Sequence, residues 1–504
     1  MRRVEAFIYA FPMVALILSG CGDSSLQGKQ QTGNATVSSA DDVTLQNPSL
    51  EYVTYAPAAD DDVVSRQAYL EKLHGFWLGQ SIANWTGRVT EMDKIGGDGP
   101  TGGAFYTRDD WGQPDQRNFM GRIGVDLGSG EIFDTIDWVL RSDSQIWGAD
   151  DDTDIEYIYQ HLLFEHQTSV LSGEQIRDGW LTHIYSDENS PFTDGNGNPQ
   201  NFLWVSNQEA QDLMLERGLV PPATSDPANN FFYDMIDAQL TTEIFGLFAP
   251  ARPDVALEMA HLPIRVTAYE NAEWAAEFYV EMHSLASLVD QDLSVKDQVF
   301  WMADTARLRL PDNSYTAKMY DFVKSRYESG VPWEQARDEV YLRYQVAELD
   351  GYDIASTKAP PADSDLADNP FYNSFVRCNG CFAAGINFAA SIVSLLYGEG
   401  DYQETVKIAS LAGWDSDNPA ATWGGLLGFM IGREGVESAF GQTLADRYDI
   451  HRTRGGFPND GIDTFQAMAE KGVMIVDRVV QEEIGGGVDL ENNLWYIPGT
   501  DSDD

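Results

Sequence analysis

Two short acidic runs carry the chemistry of this chain: Asp150-Asp151-Asp152-Thr153 and, far downstream, Asp415-Ser416-Asp417-Asn418. Each stands directly before an apolar, helix-like stretch. Carboxylates this crowded repel one another unless a cation sits among them. Two such clusters at separate helix starts could converge on one hard-metal site. Other chemistries find less support. The seven histidines are scattered without metal-ligand spacing, and Gly-x-Ser-x-Gly, the serine-esterase signature, does not occur. The run Gly96-Gly-Asp-Gly-Pro-Thr-Gly-Gly103 could offer backbone N–H groups to a diphosphate, but no P-loop helix signal follows it. Asp194-Gly-Asn196-Gly-Asn198 begins like a calcium loop. Pro199 and Val205 stand where that loop needs Gly and Glu, so it reads as a turn.

Helices must position the clusters. Residues 66 to 84 place Leu70, Leu73, Trp77 and Ser81 on one face. Residues 153 to 166 place Ile155, Ile158, Tyr159, Leu162 and Leu163 at helical spacing. Helical patterns also cover 254–289, 295–309, 314–328, 333–347, 380–397, 402–412 and 462–482, with loops chiefly at 93–118, 184–202, 219–230 and 357–372. Asp417 or Asn418 suits an N-cap and Pro419 a first helical turn. In the helix they begin, Ala420, Gly424, Gly428 and Gly432 form one thin face. Each Gly costs roughly 1 kcal/mol of helix stability relative to Ala, so that face predicts a neighbouring backbone in close approach.

No linker divides the body, which predicts one all-α domain over residues 61–485. Residues 1–20 read as a signal peptide: Arg2 and Arg3, an apolar stretch at 7–18, then Leu18-Ser-Gly-Cys21. That ending resembles a bacterial lipobox, which implies lipidation of Cys21 and a place in the bacterial cell envelope. Residues 21–60 read as a flexible tether and 486–504 as an acidic C-terminal tail. The 80 acidic residues against 32 Lys plus Arg give a formal charge of −48. Such a field disfavours binding nucleic acid through a basic surface and favours cations. Cys378 and Cys381 could be buried thiols, a disulfide in an oxidising compartment, or a redox or metal pair.

Three pieces now fall in order: Gly75-Phe-Trp-Leu-Gly79-Gln-Ser-Ile-Ala-Asn84-Trp-Thr-Gly87-Arg-Val-Thr-Glu91, the Asp-Asp-Thr helix start, and Gly413-Trp-Asp415-Ser-Asp417-Asn418. Together they resemble the ADP-ribosylglycohydrolase family from about residue 66 to residue 480. Gln239-Leu-Thr-Thr-Glu243-Ile-Phe-Gly246 is similar to a middle segment of some members. The resemblance implies a compact, orthogonal multi-helix bundle with a site for two Mg²⁺ ions. Carried over by position, the ligands are Asp150, Asp151, Asp152, Asp415, Asp417 and Asn418. Ser or Thr is usual where Asp150 stands, and Thr where Asn418 stands. Both replacements keep an oxygen ligand, and the added charge could turn preference towards Mn²⁺ or Ca²⁺. The implied substrate is a small-molecule or protein-linked ADP-ribosyl group, with Asp151 or Asp152 as general base and Glu91 near the scissile bond. A non-catalytic surface lipoprotein on the same scaffold, binding a metal and a nucleotide sugar, is the alternative, and a metal-free glycosidase with paired carboxylates is a third.

Overall fold

The computed structural model describes residues 45–97, 104–118, 121–126, 131–193, 197–353 and 380–499. Cys21, Cys378, the loop at 357–372, and most of the Gly96–Gly103 and Asp194–Asn198 runs lie outside them. Helices dominate: α1 (Arg66–Gly87), α2 (Asp151–His166), α3 (Gly173–His183), α4 (Val205–Arg217), α5 (Ile244–Phe248), α6 (Pro253–Ile264) and α7 (Asn271–Leu285). After them come α8 (Val295–Arg307), α9 (Tyr315–Glu328), α10 (Trp333–Val340), α11 (Ala384–Gly398), α12 (Tyr402–Ala412), α13 (Asp417–Phe440) and α14 (Phe465–Glu482). The fold class is all-α. The pattern over 254–289 divides into α6 and α7, because Glu270 takes a left-handed φ of 50° between them. After α10 the chain continues as one π-helical segment over Tyr341–Val346.

The centre is the pair α1 and α13. A Cβ on Gly79 would lie 2.4 Å from the Gly424 carbonyl oxygen, and one on Gly428 would lie 2.3 Å from that of Gly75. The two helices thus touch backbone to backbone, which is why Gly recurs at one-turn spacing on both. Beside Gly75 in this seam, Gly432 adopts φ 69° and kinks α13. Gly428→Val is expected to lower stability by about 1–3 kcal/mol or more, because overpacked helices must separate. Denaturant unfolding measures this, and an unchanged midpoint would show that the contact is not tight.

The folded body extends beyond residues 61–485 at both ends. Asn47 is buried and donates to the Met474 carbonyl at 2.9 Å, and Tyr52 donates to Asp477 at 2.6 Å. Body contacts therefore begin well before residue 60. The expected C-terminal tail forms two strands, β7 (Gly487–Asp489) and β8 (Leu494–Ile497). They join β1 (Asp62–Ser65) in an antiparallel sheet ordered β1-β8-β7. Trp495 and Ile497 point inward with period two, and Trp495 is fully buried. Cys381 is buried and disulfide-bonded. Among the described residues no helix is long and apolar enough to cross a membrane.

Candidate active site

Three backbone devices bring the acidic residues together. Strand β4 (Trp147–Gly148) pairs in parallel with β5 (Arg447–Asp449), which in turn pairs with β6 (Ile462–Thr464). This holds the chain just before Asp150, the N-cap of α2, whose N–H donates to Thr153 Oγ1 at 3.2 Å. The positive end of the α2 dipole then meets Asp151 and Asp152 in its first turn. The second device is Gly87 at the end of α1. A Cβ there would lie 2.5 Å from the Cα of Asp417, so only Gly lets α13 begin this close. The third is a clip between two loops. The Met92 N–H donates to the Trp414 carbonyl at 2.7 Å, and the Trp414 N–H donates to the Lys94 carbonyl at 3.0 Å. Trp414, next to Asp415, holds a left-handed φ of 56°, a strained value for an aromatic residue.

The result is one acidic locus on a cavity of about 830 Å³. Asp150, Asp152 and Asp417 offer oxygens within 4.8 Å of one another, and so do Glu91, Asp415 and Asp417. Asp417 is common to both groups. Asp151 lines the same cavity but belongs to neither group. Asn418 is buried and donates its amide to Asp152 at 3.4 Å. Asn84, on α1, donates to Asp152 at 3.1 Å and to Asp150 at 3.4 Å. Cys21 is not among the described residues.

Arg88 sits at the centre of this cluster. It pairs with Asp150, approaches Glu91 at 3.3 Å and lies 4.0 Å from Asp417. Burial opposes ionisation of Asp150, but the Arg88 guanidinium outweighs it and holds the carboxyl at about 2. Burial, then the neighbouring carboxylates, pushes Asp151, Asp152 and Asp415 well above the usual range. Asp417 is raised by burial and then by Glu91 and Asp152. Burial also raises Glu91, against the pull of Arg88. One guanidinium is too little positive charge for this many buried carboxylates.

The donor set fits hard divalent cations. It consists of oxygens alone, and Asp417 Oδ1, Asn418 Oδ1 and Asn84 Oδ1 are buried with no hydrogen-bond partner. Behind the cluster lies a second buried acidic pair. Glu156 accepts from Gln80 at 2.6 Å and from the Ile244 N–H at 2.7 Å, and Glu243 accepts from Thr422 at 2.6 Å. Sequence reasoning missed Arg88, Glu156 and the cavity wall of Phe202, Trp204, His451 and Arg452. Arg88 stands in the Gly87-Arg-Val-Thr-Glu91 turn, but nothing in that turn encodes its approach to Asp150. The wall comes from loops, which carry no periodic signal.

No curated protein matches the chain in sequence. A solved structure described as an ADP-ribosylglycohydrolase-related protein complex matches with a TM-score of 0.43 and 12% identity, covering 82% of this chain and 99% of that one. The family model for ADP-ribosylglycohydrolase matches residues 65–471, a span that holds both acidic clusters and the Gly-rich end of α1. On that match, the chain belongs to the ADP-ribosylglycohydrolase family.

Proposed function

We propose that the protein is a divalent-metal-dependent hydrolase that cleaves an ADP-ribosyl or related ribosyl glycosidic bond. The observation that supports it is the sharing of Asp417 between two groups of carboxylates at one cavity, in a chain of this family. Asp150, Asp152, Asp415, Asp417 and Glu91 would hold two cations, with Asn418 completing the set. When bound, such ions supply anchorage for vicinal ribose hydroxyls and lower the pKa of water.

The protein's own groups do the rest. Hydrolysis breaks the bond from ribose C1″ to the leaving atom and joins C1″ to a water oxygen, and the water proton must move to a base. Asp151 is the better placed of the two candidates. Asp152 already accepts from Asn84 and Asn418 and belongs to a cation group, whereas Asp151 faces the cavity outside both groups. Arg88 fixes Asp150 and Glu91, and Glu91 tunes the site. The departing group leaves with a proton from solvent or from the protonated base.

The test is release of ADP-ribose or ribose from ADP-ribosyl model substrates, which a chelator should abolish and Mg²⁺ or Mn²⁺ restore. Full cation occupancy without release from any such substrate would favour a binding protein on this scaffold instead. The Leu18-Ser-Gly-Cys21 ending supports a second part of the proposal, that the protein is a lipid-anchored component of the bacterial cell envelope. Cys21→Ser is expected to abolish acyl labelling and release the protein from membranes; unchanged fractionation and labelling would refute the anchor.

A further inference from the structure

The segment that carries Asp415 and Asp417 is gripped by two elements. At the end of α1, the Gly87 carbonyl accepts from Ser416 Oγ at 3.0 Å, and Thr90 Oγ1 meets the same hydroxyl at 3.1 Å. The other grip is Asn387, a buried residue in the first turn of α11, whose Oδ1 accepts from the Asp415 N–H at 3.2 Å. It falls next to Trp414, whose left-handed φ of 56° persists only where the surroundings over-determine it.

Asn387 is itself fastened. Its Nδ2 donates to the Cys381 carbonyl at 2.8 Å and to the Ala383 carbonyl at 3.0 Å. A side chain here must donate through one atom while it accepts through the other, and among side chains of this length the Asn amide does both. Its hold on Asp415 therefore follows the position of the Cys381–Ala383 turn. The same turn supports the cavity wall. The Phe382 carbonyl accepts from the Ile236 N–H at 2.9 Å, and Met235 bridges Ala383. Phe382 and Ile236 both line the cavity. Cys381, buried at the start of the turn, is tied down by its disulfide. That covalent bond limits how far the Cys381 carbonyl, and with it Asn387, can move.

We infer that Asn387 is a positioning residue for the acidic cluster and makes the cation affinity of the cavity depend on the disulfide at Cys381, a role that rests on the cation reading of the cavity. Residues that hold a metal ligand in place are worth about 10- to 100-fold in affinity. Calorimetric titration of the oxidised protein with Mg²⁺ should therefore give Asn387→Leu, which keeps the branched shape and loses the amide, a Kd about 10- to 100-fold above that of the wild type. Asn387→Gln, which keeps the amide on a longer arm, should fall between them. Dithiothreitol opens the disulfide: it gives up two electrons and two protons, the S–S bond becomes two thiols, and the reagent closes into a cyclic disulfide. Reduction should weaken Mg²⁺ binding by about 5-fold or more. Cys381→Ser should bind as the reduced wild type does, with or without dithiothreitol. Asn387→Leu should no longer respond to reduction, because its link to the turn is already cut. A Leu variant that melts lower but binds Mg²⁺ with wild-type affinity would make Asn387 merely structural and overturn the inference. So would a full reduction effect in that variant, because the disulfide would then act by another route. Should Asn387→Leu fail to fold, equal Mg²⁺ affinity in the oxidised wild type, the reduced wild type and Cys381→Ser would overturn it as well. A wild type without Mg²⁺ affinity in either redox state would refute the cation reading and this role with it. A wild type that responds as described but releases no ADP-ribose would refute the hydrolase reading and leave the role of Asn387 standing.

Discussion

Asp151→Asn is expected to lower kcat by about 10²- to 10⁴-fold, the usual contribution of a positioned base, with a much smaller change in KM. Mg²⁺ should still raise the melting temperature of this variant, because Asp151 lies outside both groups of converging oxygens. Asp417→Ala should behave differently. Asp417 belongs to both groups, so its loss should remove most of the cation-dependent rise in melting temperature together with turnover. Asp152→Ala should fall between the two, since it takes one oxygen from one group only. Glu91→Gln should reduce turnover by a smaller factor. It keeps an oxygen near Arg88 but loses a charge that Arg88, 3.3 Å away, helps to hold. Thermal melts across a Mg²⁺ series, set beside steady-state kinetics, separate these outcomes. If Asp151→Asn abolishes the cation effect together with turnover, Asp151 is a cation ligand and not the base. If Asp417→Ala leaves the titration unchanged, no cation spans the two clusters.

How far such a site is legible in a sequence depends on what positions it. The acidic runs announce themselves by charge density, and their helices by period; Asp150 caps α2, but the expected N-cap of α13 at Asp417 or Asn418 falls on Ser416 instead, because the helix already begins at Asp417. The thin face of α13 is likewise legible, because repeated Gly in a helix has few physical explanations other than close packing. Its partner was harder to read. Gly75 and Gly79 show as a pair in sequence, but only the fold shows that they meet Gly428 and Gly424. The role of Arg88 depends on a turn after α1 that brings it onto Asp150, and no local pattern encodes that approach. Residues 486–504 read as a tail because their net charge hides the alternation at Leu494–Ile497, whose inward side chains are apolar. In each case the local signal survives, and what escapes is the contact between segments distant in the chain.

The far side of α1 supports the second large effect. Arg66, at its first position, is buried and donates to both oxygens of Asp477 on α14, at 2.9 and 2.7 Å. It also donates to the Leu45 carbonyl at 2.7 Å and to Asn493 at 2.7 Å. Asp477 accepts in addition from Tyr52 at 2.6 Å and from Trp495 Nε1 at 2.7 Å. One ion pair therefore joins the N-terminal segment, α1, α14 and the β7–β8 hairpin. Burial pushes the Asp477 carboxyl above its usual range, and Arg66, Tyr52 and Trp495 only partly restore it. Removing one partner leaves the other charge buried alone, so Asp477→Leu should cost about 3–5 kcal/mol of stability. Arg66→Met should cost a similar amount. The double variant Arg66→Met/Asp477→Leu should lose much less than the sum, because it strands no charge, and denaturant unfolding of all four proteins closes the cycle. Strict additivity would show that the two residues act independently. Because this hub lies on the opposite end of α1 from Gly87, the variants that remain folded should keep their Mg²⁺ titration. A lost titration in a folded variant would mean that the position of α1 is transmitted along its length to the acidic cluster, through the glycine seam it shares with α13.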